Sequence, residues 1–144
     1  MRILGIDLGQ KRVGLAISDP LGFTAQGLET LRVKGRKDLL KGLADVCRRH
    51  EVTEIVIGLP VNMDGSHGPK AQEVAALLPE LEKTLGLPVR TLDERLTSRQ
   101  AGRLMVQEGL SRQKQKMNSD RLAATLILQN YLETKRVRRR EESV

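Results

Sequence analysis

Two short apolar runs, separated by polar residues, open the chain. Residues 3–8, ILGIDL, form a run with almost no polar side chains, which is typical of a strand covered on both faces. Residues 10–12 are polar, QKR, and residues 13–17 form the second apolar run. Two such runs joined by a few polar residues predict a β-hairpin at the start of the chain.

A single carboxylate interrupts the first run. Asp7 lies between Ile6 and Leu8, so the apolar run continues past it. A carboxylate on a buried strand is costly unless a hydrogen bond, an ion pair or a cation compensates it. Asp7 is therefore either a turn-initiating acid near a strand end or part of a functional site, and the continuing apolar run favours the site.

The pattern then alternates between strand and helix periods. Residues 28–33 alternate apolar and polar side chains, which predicts a third, half-exposed strand of an antiparallel meander. Apolar residues at helical spacing predict a helix over residues 36–50, and the apolar run at residues 54–58 predicts another strand.

A loop rich in Asn, Asp and Gly is predicted at residues 61–69. After a strand and before a helix, such a loop lies at the sheet edge where ligands bind. Asn62, Asp64 and His67 are candidate substrate contacts, although turn formation explains each of them equally well. Pro69 suits the start of the next helix, and Pro79 inside it predicts a kink or two short helices.

Adjacent acids follow the next predicted strand, residues 89–92. Asp93 and Glu94 lie at its end, at the same sheet edge as the preceding loop, and in an extended chain only one of them can face the site. A salt bridge to Arg95 is the alternative explanation for either acid. Thr97 and Gln100 form a capping box for a helix that ends at Gly109.

A further acid of interest lies near the predicted start of the last helix. Residues 110–117 predict a flexible basic loop that contains Arg112, Lys114 and Lys116, and Asn118 or Ser119 can cap the helix after it.

This start would place Asp120 in the first turn, where the helix dipole favours acids. Asp120 nevertheless shares the apolar face with Ala123, Ala124 and Ile127, so it would point toward the sheet and toward Asp7. This spacing favours a functional role over a dipole contact.

Composition and charge narrow the class of protein. The 144 residues carry 25 Lys and Arg against 18 Asp and Glu, a net charge of +7, which favours a polyanionic partner. With one Phe and one Tyr, the chain has few aromatic side chains on which nucleic-acid bases could stack. A single Cys, no signal-peptide pattern and no membrane-spanning stretch make the cytoplasm the expected compartment. One domain, residues 1–134, is predicted, followed by a basic flexible tail at residues 135–144.

Four sequence motifs resemble those of one family. GIDLGQKRVGLAISD, IVIGLPVNMDGS, LDERLTS and SDRLAATLILQ occur in this order and closely resemble the YqgF family, also called RuvX. This bacterial group is described as Holliday junction resolvase-like and as nucleases of the small-subunit ribosomal RNA precursor. The resemblance implies an α/β, ribonuclease H-like fold, with a mixed five-stranded sheet of three antiparallel strands and then two parallel ones, flanked by helices.

The resemblance also implies the site residues. Asp7, Glu94 and Asp120 would be both the catalytic residues and the ligands of Mg²⁺ or Mn²⁺, which prefer hard oxygen donors. Independently of the resemblance, cationic side chains in the hairpin, beside the acids and in the basic loop before Asp120 are expected to hold phosphate oxygens of the nucleic acid. These are Lys11, Arg12, Arg95, Arg112, Lys114 and Lys116.

Function is therefore expected to be metal-dependent hydrolysis of phosphodiester bonds in the 16S ribosomal RNA precursor. The alternatives are a Holliday junction resolvase acting on branched DNA and a non-catalytic RNA-binding factor of ribosome assembly. Ribosomal particles are further candidate partners, and the protein is expected to be a monomer or a homodimer. An ATPase of the actin and sugar-kinase type is disfavoured because the chain has length for one lobe only.

Overall fold

The computed structural model describes residues 2–94 and 112–142, which form a mixed β-sheet with helices on both faces. In chain order the elements are β1 (Arg2–Leu8), β2 (Arg12–Ser18), β3 (Ala25–Gly27), β4 (Leu31–Arg32), α1 (Arg36–Arg49), β5 (Val52–Leu59), α2 (Pro69–Leu85), β6 (Val89–Asp93) and α3 (Arg112–Glu142). No helix in these two ranges is long and apolar enough to cross a membrane.

The sheet has the strand order β3-β2-β1-β5-β6, and β4 also pairs with β2. The β1–β2 hairpin is antiparallel, and its register places Asp7 opposite Gly14. β5 runs parallel to β1, and β6 runs parallel to β5. Antiparallel pairs followed by parallel pairs confirm the predicted fold class.

The predicted third strand is wrong in its bounds. Instead of one strand over residues 28–33, two short strands, β3 and β4, pair with successive parts of β2. Leu28 still donates its amide hydrogen to the Leu15 oxygen at 2.8 Å. Its carbonyl oxygen, however, accepts a hydrogen bond from Arg121 Nε at 3.0 Å. The side chain from α3 thus takes the acceptor at the point where the strand is interrupted.

Alternation along β1 divides its side chains between two cores. Leu4 and Ile6 join the larger core, which is completed by α1 and α2. Ile3 joins the smaller core, to which α3 contributes Ala124, Ile127, Leu128 and Leu132. Asp7 has the same parity as Ile3, so its side chain lies on the α3 face of the sheet.

Glycines on that face let α3 approach the sheet backbone. A Cβ atom at Gly5 would lie 2.9 Å from the Leu128 Cβ, and one at Gly14 would lie 2.0 Å from the Asp120 carbonyl oxygen. Such distances exclude any larger residue without movement of the helix. Asp120 therefore lies directly over Gly14, which is the cross-strand partner of Asp7.

The sequence predicts a kink or two short helices at Pro79, and the second of these alternatives is wrong because the second helix is one uninterrupted element. Pro79 lies inside α2 and is exposed. Its ring removes one backbone donor, but the orphaned carbonyl belongs to Ala75, which is also exposed and accessible to water. The helix ends at Gly86, which adopts the left-handed conformation with φ +66.

The last helix begins earlier and ends later than its cap and tail signals predict. α3 starts at Arg112, so the loop predicted over residues 110–117 is wrong for residues 112–117, and neither Asn118 nor Ser119 caps it. The segment RQKQKM consists of good helix formers, which carry the helix upstream of the local capping signal. Asp120 is therefore more than two turns inside the helix, too far from its start for the dipole to explain an acid there.

The far end of α3 is fastened to β5. Lys135 Nζ lies 2.5 Å from Glu54 Oε1, and the Tyr131 hydroxyl donates to the other oxygen of the same carboxylate. The helix then continues to Glu142, where the sequence predicts an irregular tail. The division into a domain of residues 1–134 and a tail of residues 135–144 stays a prediction.

Candidate active site

Two acids from distant parts of the chain meet on the α3 face of the sheet. Asp7 lies on β1, Glu94 directly follows β6, and β5 runs between these two strands. The Glu94 amide donates to the Leu59 carbonyl at 3.1 Å, which fixes the acid at the end of β5. The side chains of Asp7 and Glu94 are joined by a hydrogen bond. The structure thus brings together two of the three predicted acids.

A glycine on the intervening strand makes the room for this contact. A Cβ atom at Gly58 would lie 2.6 Å from both Cγ and Cδ of Glu94. The Glu94 side chain therefore occupies the space that a larger residue would fill, and only 9% of it is exposed. Asp93, in contrast, is exposed, which resolves which of the two neighbouring acids faces the sheet.

The environment of Glu94 favours its neutral form. Burial, the hydrogen bond to Asp7 and the negative charge of Asp7 together raise the pKa of Glu94 from 4.5 to about 9, although Lys70 acts in the opposite direction. At neutral pH Glu94 therefore keeps its proton and donates a hydrogen bond to Asp7. Two carboxylates that share a proton are a site with room for further positive charge.

The third predicted acid is nearby but is held differently. Asp120 Oδ2 lies 3.5 Å from Arg12 Nε, and each side chain is 25% exposed. Within residues 2–94 and 112–142, no group of three or more His, Cys, Asp or Glu is arranged to hold a metal ion. The donors of Asp7 and Glu94 suit a hard divalent cation as a pair, whereas Asp120 is engaged by a guanidinium.

A basic cleft adjoins these acids. Its volume is about 820 Å³, and Gly9, Gln10, Lys11, Arg12, Arg32, Lys70 and Asp120 line it. Two of the predicted phosphate-binding residues, Lys11 and Arg12, therefore face the same space as Asp120. Arg12 is also the cross-strand partner of Arg32. Like charges directly opposite each other destabilise a sheet, so this arrangement is suited to an anionic ligand.

Sequence reasoning missed Lys70 and Arg32. Lys70 occupies the first turn of α2, where the helix dipole disfavours a cation, and this local cost is a signal in the sequence. Arg32 becomes informative only once the β2–β4 register is known. Four predicted residues are not placed: Arg95 lies outside the described residues, as does the predicted helix over residues 97–109, and the side chains of Arg112, Lys114 and Lys116 are not described.

The loop between β5 and α2 is ordered by its own hydrogen bonds. Asp64 Oδ1 accepts hydrogen bonds from the Ser66 amide and hydroxyl at 2.9 and 2.6 Å, which supports its role in a turn. Asn62 donates from Nδ2 to Ser66 Oγ at 3.0 Å and also lines a cavity next to Glu94. The His67 carbonyl accepts from Gln72 Nε2 at 3.1 Å.

Comparisons with known proteins agree with this architecture. A family model described as "RuvX: Holliday junction resolvase" matches residues 1–134. A protein of Moorella thermoacetica named "Putative pre-16S rRNA nuclease" is 49% identical over 133 residues, which cover 92% of this chain and 95% of the relative.

Solved structures of two resolvases share the fold. The Fowlpox virus resolvase bound to Holliday junction DNA has a TM-score of 0.60 at 14% identity, and the match covers 93% of this chain and 98% of that one. The RuvC protein of T. thermophilus in complex with a Holliday junction substrate has a TM-score of 0.58 at 15% identity, with 94% and 96% covered.

Proposed function

The chain belongs to the RuvX family, and we propose that it is a divalent-metal-dependent endonuclease that hydrolyses phosphodiester bonds in the precursor of 16S ribosomal RNA. The relative from Moorella thermoacetica carries a name of this kind at 49% identity. The two resolvase structures are 14% and 15% identical, so they bear on the fold alone. RNA is therefore the preferred substrate, and branched DNA is an outcome for the experiment.

The contact between Asp7 and Glu94 is the observation that carries this proposal. These carboxylates come from β1 and from the end of β6, and they meet over Gly58 of β5, which lies between those two strands. They are the donors that would hold Mg²⁺ or Mn²⁺. When bound, the ion would supply Lewis acidity and stabilise the charge that develops during hydrolysis. Its binding would displace the proton from Glu94, and the net charge of the site would then be 0 instead of the −1 of the protonated pair.

Asp120 is proposed to complete the site when substrate is present. Its carboxylate is held by Arg12, whose guanidinium also lines the basic cleft. A phosphate in that cleft would compete for Arg12 as a bidentate partner and so loosen its hold on Asp120. The helix position over Gly14 already brings the backbone of Asp120 next to the strand that pairs with β1.

The cations are proposed to bind the RNA backbone. Lys11, Arg12, Arg32 and Lys70 line one cleft beside the acids, and Arg12 and Arg32 are placed directly opposite each other. A phosphate between them would relieve their repulsion and position the scissile bond. Such contacts fix the position of the strand without reading its sequence. Arg95, Arg112, Lys114 and Lys116 stay predicted contributors to the same surface.

The proposal is tested by cleavage of a defined panel of nucleic acids. The purified full chain is incubated with a 16S precursor RNA fragment, an unrelated single-stranded RNA and a four-way DNA junction, each with Mn²⁺, with Mg²⁺ or with a chelator. Glu94→Gln keeps the shape of the acid and its ability to donate to Asp7. Glu133→Gln, at a side chain that is 63% exposed and far along α3, is the matched control.

We expect precursor RNA to be cut only with metal, by the wild type and by Glu133→Gln but not by Glu94→Gln. Loss of a metal-ligating acid should reduce the rate by orders of magnitude. Cleavage of the DNA junction alone would instead assign the protein as a resolvase. Binding of RNA without cleavage under every condition would assign it as an assembly factor and overturn the nuclease proposal.

A further inference from the structure

A second cavity, separate from the basic cleft, adjoins Glu94. Its volume is about 550 Å³, and its described lining includes Val61, Asn62, Met63, Pro69, Lys70 and Glu94. The Val, Met and Pro side chains make most of this lining apolar, although it lies beside a charged site. Neither of the two aromatic residues of the chain contributes to it.

The outer wall of this cavity is a preorganised loop. The Gly65 amide donates to the Asn62 carbonyl at 2.8 Å, and the Asn62 amide donates to the Ser66 carbonyl at 2.9 Å. Between these bonds lies Met63, whose side chain is 61% exposed while it lines the cavity. Unlike Leu21, which is also exposed, Met63 lies beside Val61 and Pro69 in the lining of a cavity, so its apolar surface is part of a concave site.

The shape and chemistry of the cavity fit a nucleobase. Proline and methionine side chains provide apolar surface for a flat ring, and the thioether of Met adapts to ring edges. The side-chain amide of Asn62 donates one hydrogen to Ser66 Oγ, and within residues 2–94 and 112–142 its oxygen and its second hydrogen make no further hydrogen bond. These two groups match the donor and acceptor pattern at the edge of a base, which is how amide side chains read bases elsewhere.

The position of the cavity beside the acids and the basic cleft indicates that its occupant is an unpaired base. Lys70 lines both this cavity and the basic cleft, and Glu94 also lines the cavity. A nucleotide whose phosphate lies at the acids and cations would therefore have its own base, or the next one, at the opening of the cavity. A base stacked within a duplex cannot enter it, so the occupant has to be unpaired.

We propose that this cavity binds one unpaired base next to the scissile phosphate, and that Met63 and Asn62 determine how strongly it is held. This inference rests on the proposed function, and it names a single-stranded region of RNA as the place of cleavage. It also explains why a chain with few aromatic residues can hold a single strand: one apolar cavity substitutes for an aromatic stacking platform.

The test is a scan of abasic positions along the precursor RNA. Single ribose residues without a base are placed at successive positions around the cleavage site, and both affinity without metal and cleavage with Mn²⁺ are measured. The proteins are wild type, Met63→Ala and Met63→Leu, with Leu21→Ala as the control, since Leu21 is 73% exposed on another loop. Melting curves verify that each variant is folded.

We expect one position at which removal of the base weakens wild-type binding by roughly tenfold or more. Met63→Ala should weaken binding of intact RNA by a similar factor. The affinity of this variant should no longer depend on the base at that position, but should respond as in the wild type at all other positions. Met63→Leu should restore the sensitivity, and Leu21→Ala should behave as wild type.

Two results would overturn the inference. One is that the wild type binds every abasic RNA with equal affinity. The other is that removal of the base at that position weakens binding by Met63→Ala as much as binding by the wild type. Because affinity is measured without metal, this failure is distinct from failure of the nuclease proposal, which is an absence of cleavage.

Discussion

Asp7 and Glu94 share one hydrogen bond across the end of β5, although both are acids that carry a negative charge at neutral pH in an unfolded chain. The contact exists because Gly58 leaves the space between them open and because burial keeps Glu94 protonated. The folded chain thus holds a buried carboxyl pair in which Glu94 keeps its proton at neutral pH. The consequences of this pair are measurable without any substrate.

Stability of the metal-free protein should fall as pH rises. The folded chain retains a proton on Glu94 up to its pKa of about 9, whereas the unfolded chain releases it near 4.5. Since the folded state binds more protons between these values, its stabilisation is complete below the lower value and is lost toward the higher one. We expect the free energy of unfolding to fall by up to about 1.4 kcal/mol per pH unit in this window, measured by urea denaturation.

Glu94→Gln isolates this contribution. The amide donates a hydrogen bond to Asp7 as the protonated acid does, but it does not titrate. The difference in unfolding free energy between wild type and Glu94→Gln should therefore change steadily with pH, while Glu133→Gln should follow the wild type. Parallel curves for wild type and Glu94→Gln would show that Glu94 does not keep its proton.

The approach of α3 to the sheet should depend on the absence of a side chain at Gly14. Gly14→Ala would place a Cβ atom 2.0 Å from the Asp120 carbonyl oxygen, so the helix has to move. We expect a loss of roughly 1–3 kcal/mol of stability, together with reduced cleavage because Asp120 is displaced. Gly35→Ala is the control, since nothing lies within 4 Å of a Cβ atom there. Equal melting temperatures for the two variants would contradict the close approach.

Charge changes at Arg12 and Asp120 should have opposite effects on RNA affinity. The two side chains are paired at 3.5 Å in the cleft that we assign to phosphate. Arg12→Gln should weaken metal-free RNA binding by roughly fivefold, and Asp120→Asn should strengthen it by a similar factor. The salt dependence should flatten by about 0.7 per lost phosphate contact for Arg12→Gln only. Equal losses in both variants would indicate a purely structural pair.

The end of α3 should divide into an anchored part and a dispensable part. Lys135 pairs with Glu54 at 2.5 Å, so deletion from residue 135 onward removes a contact to β5 and should lower the melting temperature. Deletion of residues 137–144 retains Lys135 and should leave the melting temperature close to that of the wild type. It should still reduce the salt dependence of RNA binding, because the sequence VRRR is lost. Similar melting temperatures for both truncations would contradict the anchoring.

Local sequence predicts the parts of the site that depend on one element. An acid inside an apolar strand identifies Asp7, and helical spacing places Asp120 on the face toward the sheet. The choice between Asp93 and Glu94 cannot be made locally, because it depends on the register of β6 against β5 and on the open space at Gly58. The start of α3 is also missed, because a capping signal at residue 118 competes with good helix formers before it.

Binding-site cations are harder to predict from sequence than the acids, because most Lys and Arg side chains lie in solvent whether or not they bind a ligand. Lys11 and Arg12 stand out by their position in a short hairpin, and Lys70 by its place in the first turn of a helix, whereas Arg32 lies among ordinary exposed residues. Their role becomes apparent when β2 and β4 pair, since the two arginines then lie opposite each other, and when α2 directs its first turn toward the acids. Only the folded chain brings these charges to one cleft.

The most direct test of the metal site is a calorimetric titration of Mn²⁺ into metal-free protein near neutral pH. We expect wild type to bind the ion and release a proton from Glu94, and Asp45→Asn, at an exposed acid of α1, to do the same. Asp7→Asn should show neither binding heat nor proton release, while its metal-free melting temperature equals or exceeds that of the wild type. Binding of Mn²⁺ by Asp7→Asn with wild-type heat and proton release would contradict the assignment of Asp7 and Glu94 as the metal site.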